Sequence, residues 1–258
     1  MIFPPGTLEA FGLYLARSSA LVIASPILGI GSRFSGYKIG LIFALALVLY
    51  LATGEPLGEY EAIAFGAMAL REILIGLFLA FSMHLVILAV RVAGELIGHE
   101  MGFMIARQVD PATGVRTPVI TSLYETLFIL ALLSMNGHHW LIRALGSSFE
   151  RAPVGRLDVG AGFAPMTVRL FGEMFEAGIV FAAPVMALLF LVSLLIGLLA
   201  RAVPHLNVLE VGFSLRVSVS LMAMLLFAPL LQPAMEQLQR TFEAWLEHAV
   251  DSIALTPR

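Results

Sequence analysis

Residues 91–118 read R-V-A-G-E-L-I-G-H-E-M-G-F-M-I-A-R-Q-V-D-P-A-T-G-V-R-T-P, and their reading decides the fold. Gly94, Gly98 and Gly102 fall four apart, so in a helix they form one groove without side chains. Small residues at that spacing let a second helix approach closely, where dispersion and Cα–H contacts replace the hydrophobic drive that lipid does not supply. The partner helix can come from this chain or from another subunit. The helix must then stop. Asp110-Pro111-Ala112-Thr113-Gly114 is a turn signature, because proline disfavours helix at the residue before it. Between glycines and turn lies an apolar loop with Phe103, Met104 and Ile105. Non-helical backbone in a membrane protein is tolerated only when buried in protein or lining a cavity. An apolar loop with an adaptable thioether can plug a conduit; the plainer reading is a surface connection.

Composition says why a membrane is the frame for that argument. Of 258 residues, 59% are apolar and 13% charged, with mean hydropathy +0.94. A soluble domain carries about 25% charged residues, so this chain cannot coat a water-facing surface of its own. Its surroundings are lipid, other apolar subunits, or both. Net charge is -3, and the concentrated basic face that nucleic acid requires is missing; Lys38 is the only lysine. Cysteine is absent, which removes disulfides, thiolate metal sites and cysteine nucleophiles together. The opening Met1-Ile2-Phe3-Pro4-Pro5-Gly6 lacks a basic n-region, so insertion is expected to rely on the first internal apolar segment.

Charge-free runs locate the helices: 18–32, 39–54, 73–90, 126–142, 177–200 and 217–235. The runs 73–90, 177–200 and 217–235 reach spanning length unaided, since about 20 residues cross a bilayer. The other three need snorkelling flanks or a thinner bilayer. Strands are not expected, because a membrane barrel needs short segments of alternating polarity and these runs are apolar on all sides. The fold class is therefore all-α, with about six apolar segments, and the domain expected is a single one over 1–258. Prolines 26, 184, 204 and 229 are expected to kink or end helices. The basic turn with Arg33 and Lys38, followed by the acidic one with Glu55, Glu59 and Glu61, places the N-terminus outside. Past the last run, Leu238, Phe242, Trp245, Leu246 and Ala249 recur at helical spacing. Glu236, Gln239, Arg240, Glu243 and Glu247 take the other face of this amphipathic C-terminal helix over 233–250.

Several charges interrupt or border the runs: Glu9, Arg17, Arg71, Glu72, Glu125, Arg201 and Arg216. Such residues are costly in lipid and pair or serve function. Arg71, Glu72, Glu125 and Arg201 are the candidates for buried charge, facing protein or water rather than relaying protons. Enzyme signatures fail. His99-Glu100 opens like a zinc-protease motif, but Phe103 stands where the second histidine belongs. Adjacent His138 and His139 point to different sides of an element, and Ser147-Ser148 has no general base near it in sequence. No phosphate loop or dinucleotide fingerprint appears. Neither catalysis nor a cofactor or metal is expected.

Three pieces, in order, carry a resemblance. They are Ala93-Gly94-Glu95-Leu96-Ile97-Gly98-His99-Glu100-Met101-Gly102-Phe103 with Asp110-Pro111; Asn136-Gly137-His138-His139 with Ser147-Ser148-Phe149 and Pro153; and Pro204-His205-Leu206-Asn207-Val208 with Gly212-Phe213 and Arg216. The chain resembles the type III secretion export-apparatus family known as FliR in flagella and SctT in injectisomes. It departs at His205, where glutamine is usual, at Ser214, where proline is common, and in the turn over 32–38, which lacks an expected proline.

The resemblance implies a fold similar to a fused FliP-like and FliQ-like unit, built from kinked, tilted hairpins. It implies FliP-like and FliQ-like partner subunits, with this chain as a minority component, and beyond them larger export-gate and basal-body ring proteins. It places the assembly at the bacterial inner membrane, in a flagellar basal body or injectisome base, partly raised on the periplasmic side. It makes the cargo an unfolded polypeptide, and gives Phe103, Met104, Ile105, Ala106, Val109 and Pro111 the role of a channel plug. Energy would come from a separate gate, ATPase and proton gradient. A secondary transporter of a small solute is the alternative, since it too shows broken helices and buried charge, though the internal repeat it requires is not evident. An intramembrane protease would need a catalytic pair that the sequence does not present.

Overall fold

A computed structural model describes residues 4–28, 35–58, 60–101, 119–155, 163–203 and 211–223, together with 225, 226, 236, 240, 244 and 247. Helix α1 is Thr7–Ala24. It begins earlier than the charge-free run 18–32 because Glu9 sits in its first turn, where the dipole favours an acid, and because Arg17 is buried and paired inside it. Gly6 precedes it at φ 82, and a Cβ there would lie 1.6 Å from the Leu57 carbonyl oxygen; only glycine fits. Ser25 closes the helix, its N–H on the Leu21 carbonyl at 2.8 Å, and Pro26 follows as the stop expected of it.

Helix α2, Ser35–Thr53, packs on α1 through edge-on contacts of Phe11 with Phe43 and Tyr50, and of Tyr14 with Tyr50. Helix α3, Ala62–Glu100, has 39 residues, or about 58 Å of length. It runs far beyond the charge-free 73–90 because its charges at 71, 72 and 91 are paired with neighbours and do not end it. Two thirds of its apolar window is buried (67%), against 6% for α2. So α3 is largely covered, while α2 leaves its apolar surface for lipid or another chain.

The run 126–142 is not one helix. It is divided into α4, Val119–Ser134, and α5, Gly137–Arg151, at Met135 and Asn136. Asn136 adopts φ 59, a left-handed conformation that asparagine tolerates and that ends helical repetition. Helix α5 buries one stripe, Trp140, Leu141, Ala144, Leu145, Ser148 and Phe149, at three- and four-residue spacing. Helix α6, Phe163–Ala202, has 40 residues and contains Pro184. It continues through that proline rather than ending there, because neighbouring groups in a membrane protein can satisfy the one carbonyl left without an N–H. It does end before Pro204. Helix α7 is Val211–Ala223. Most of 217–235 and of the amphipathic 233–250 lies outside the described residues; Glu236, Arg240, Ala244 and Glu247 within them are helical.

The chain forms two compact units, interleaved in sequence. One comprises 1–85, 135–171 and 240–258, the other 86–134 and 172–239, so α3 and α6 each contribute to both. Leu13, Leu21, Leu79, Met83, Leu141 and Leu145 fill the first core; Ile97, Met101, Met174 and Leu189 are buried in the second. Among the described residues there is no strand. Helices α1, α2, α3 and α6 are long and apolar enough to cross a membrane, and a fifth span results if α4 and α5 count as one. The protein is an all-α membrane protein.

Candidate functional site

Charge is concentrated at one place in the first unit. Arg17 of α1 and Glu72 of α3 are both wholly inaccessible to solvent and form an ion pair, with Arg17 Nε donating to Glu72 Oε2 at 2.6 Å. Arg71 donates to the other carboxylate oxygen at 2.9 Å. Two arginines thus share one carboxylate. Helix α5 supplies further acceptors. Arg17 Nη2 donates to the Ala152 carbonyl at 2.8 Å and Arg71 Nη1 to that of Pro153 at 3.2 Å. These carbonyls follow the last turn of α5, the negative end of its dipole. Arg17 Nη1 also donates to Ser148 Oγ at 3.0 Å, and its guanidinium carbon lies 4.1 Å from the Phe149 ring centroid. Tyr14 stacks on that ring at 4.2 Å. The cluster therefore ties α1, α3 and α5 together.

Gly76 makes room for it: a Cβ there would lie 2.4 Å from the Arg17 carbonyl oxygen, so α1 and α3 meet backbone to backbone.

The second unit holds the ends of the glycine-rich loop. A Cβ on Gly94 would lie 2.8 Å from Thr121 Cα, so here α3 and α4 touch as the glycine spacing suggests. One turn back, Arg91 grips Glu125 with two hydrogen bonds, Nε to Oε2 at 2.9 Å and Nη2 to Oε1 at 2.7 Å. Numbering rises along α3 (91, 94) as it falls along α4 (125, 121), so the pair is antiparallel, a stem from which 102–118 emerges. Gly98 is buried further along α3. A third close approach joins α6, where a Cβ on Gly178 would be 2.5 Å from the Ala89 carbonyl oxygen; Tyr124 and Phe181 meet edge-on nearby at 6.0 Å. Gly102 and the plug candidates Phe103, Met104, Ile105, Ala106, Val109 and Pro111 lie outside the described residues.

Of the buried-charge candidates, Arg71 and Glu72 come together, and Glu125 pairs with Arg91 instead of joining them. Arg201 is exposed, in the last turn of α6, where the helix dipole favours a cation. The His138 and His139 rings lie 4.2 Å apart, and among the described residues no set of three metal-ligating side chains forms. The sequence did not single out Gly76, Gly178 or the partnership of Arg17 with Ser148 and Phe149. A signal existed for the glycines, since Gly76 and Gly178 are each followed four residues on by a buried alanine, Ala80 and Ala182.

The stem allows a comparison of costs. Gly94→Leu drives a side chain into the Thr121 backbone and is expected to destabilise the protein by about 1–3 kcal/mol. Arg91→Ala removes a pair whose arginine is 52% exposed and is expected to cost about 1 kcal/mol or less. Thermal unfolding of the detergent-solubilised variants measures both.

What these features define is a polytopic helical membrane protein held by close glycine contacts and buried ion pairs. The family described as Bacterial export proteins, family 1, matches residues 8–242, and the chain belongs to it. It is 36% identical to the flagellar biosynthetic protein FliR of Bacillus subtilis (strain 168) over 214 residues, 82% of this chain and 83% of the relative. It is 34% identical to that of Escherichia coli (strain K12), over 87% of this chain and 86% of the relative. With FliR of Aquifex aeolicus (strain VF5) the identity is 29%, over 83% of each.

Proposed function

We propose that the chain is a subunit of the flagellar type III export gate, forming part of an inner-membrane-associated channel for unfolded polypeptide. The observation that carries this reading is similarity to flagellar FliR proteins over more than four fifths of the chain. It acts by packing and sealing, without catalysis of its own.

Physical features support the finer parts. Helices α3 and α6 are about 58 and 60 Å long, roughly twice the 30 Å hydrocarbon layer. Such length is in keeping with a body partly raised on the periplasmic side. There its apolar surface needs other subunits. Tyr37, Ile39, Phe43, Val48 and Leu51 of α2, with Phe190, Leu194 and Leu198 of α6, are all exposed; FliP-like and FliQ-like helices are the partners proposed to cover them. The antiparallel stem of α3 and α4 brings the two ends of 102–118 together, which suits a loop that enters a conduit. Phe103, Met104, Ile105, Ala106, Val109 and Pro111 are its proposed plug. Such a seal works by dispersion and exclusion of water and leaves no strong polar bond to break on opening.

Secretion of filament subunits by cells lacking the chain tests the reading. Secretion is expected to vanish while the subunits accumulate inside, and to return when the chain is supplied. Undiminished secretion in its absence would contradict the proposal and turn attention to solute transport.

A further inference from the structure

His84 stands alone in α3: over the charge-free run 73–90 it is the one titratable side chain. It is exposed, on one face with exposed Leu77 and Phe81, seven and three residues back. An imidazole at so apolar a surface needs a reason. Its Nε2 lies 2.8 Å from the Ala24 carbonyl oxygen. A carbonyl only accepts, so Nε2 carries the proton and donates. Ala24 is the last residue of α1.

The end of α1 explains why a donor is wanted there. A helical carbonyl takes the N–H four residues on, which for Ala24 is that of Leu28. The Leu28 N–H is given to Ser25 Oγ at 3.2 Å, as that of Ile27 is at 3.3 Å, and Pro26 has no N–H. The Ala24 carbonyl is thus left to a side chain, and in lipid or against an apolar subunit no water takes that place. Helices α1 and α3 meet backbone to backbone where Arg17 faces Gly76. Ala24 is about 10 Å further along α1, and His84 about 12 Å further along α3. The two helices therefore run parallel, and the His84 bond fastens the far end of their contact.

We propose that His84 is the cap of α1, a positioning residue that donates an N–H to the last carbonyl of that helix and holds its final turn on α3. It serves as a hydrogen-bond donor and not as a carrier of protons. The chain leaves for α2 from this turn, so the cap sets where the path towards α2 begins.

The test compares His84→Gln, His84→Asn and His84→Leu with wild type. Glutamine carries its amide nitrogen at the reach of Nε2, asparagine only at that of Nδ1, and leucine fills space without donating. Unfolding midpoints in detergent are expected to fall by about 2–4 °C for leucine and asparagine, the shift that one lost hydrogen bond makes in a chain of this size. Glutamine is expected to keep the wild-type midpoint. The chain lacks cysteine, so Val22→Cys, buried in the last turn of α1, reports opening of that turn through its reaction with a maleimide. That reaction is expected to quicken about fivefold in the leucine and asparagine variants and not in the glutamine variant. A leucine variant too unstable to recover beside a recoverable glutamine variant counts as the lowered midpoint does. The proposal is overturned by a leucine variant with wild-type midpoint and labelling, or by a glutamine variant that behaves as the leucine one. Export by cells lacking the chain is a separate arm. His84→Gln, which takes up no proton at working pH, is expected to restore export as wild type does; a stable glutamine variant that fails to export would make His84 a proton carrier and overturn the proposal. If wild type itself did not restore export, the functional reading would fall, while midpoints and labelling still judged the cap.

Discussion

Glu72→Met is expected to destabilise the protein by about 3–5 kcal/mol, the range for stripping one partner from a buried ion pair, and to cost more than Arg17→Met. The order follows from Glu72 being the group that both arginines share. Glu72 is the acid between Arg17 and Arg71. Without it, the buried guanidinium groups of Arg17 and Arg71 lose the carboxylate they share and keep their contacts with Ser148, the α5 carbonyls and the Phe149 ring. Without Arg17, a neutral Arg71–Glu72 pair survives, and the loss is the donors to Ser148 and Ala152, about 1–3 kcal/mol. Denaturation midpoints in detergent give the order directly. Equal midpoints for the two variants would mean that the cluster does not turn on that shared group.

Deleting residues 103–109 is expected to raise ion permeability of the inner membrane many-fold while the protein still assembles. An ion in hydrocarbon faces a Born cost of about tens of kcal/mol, so a continuous aqueous path dominates the leak once it exists. The proposed plug closes such a path by filling it with apolar side chains, and the deletion removes that filling. The stem should survive, because Gly94, Thr121, Arg91 and Glu125 lie outside the deleted residues. Membrane potential, or uptake of a small ion in cells making the variant, reports the leak. Unchanged permeability in cells that make the shortened chain at normal abundance would remove the plug assignment.

The helical class and the membrane setting were legible because they rest on composition and run length, which need no tertiary knowledge. Helix ends were not. Arg17, Arg71, Glu72 and Arg91 divide the apolar runs when the sequence is read for charge, yet α1 and α3 pass straight through them. A paired charge does not break a helix, and pairing over 55 residues, as between Arg17 and Glu72, leaves no trace in a local window. The break at Asn136 was hidden for the opposite reason. No charge marks it, so a reading for charge-free runs passes over the polar Asn136-Gly137-His138-His139 where the backbone turns. Among the glycines, Gly94 was legible from its four-residue series; Gly76 and Gly178 make equally close contacts but stand singly, with alanine completing the spacing. The α5 acceptors of the Arg17 cluster were not legible either, since carbonyls at the end of a helix belong to the backbone and have no signature of their own.

The most direct measurement of the central claim is native mass spectrometry of this chain, made alone and then beside candidate FliP-like and FliQ-like subunits. The account predicts a defined hetero-oligomer with this chain as the minority component, in which the exposed apolar faces of α2 and α6 are covered. A monomer or homodimer that ignores those subunits would contradict it.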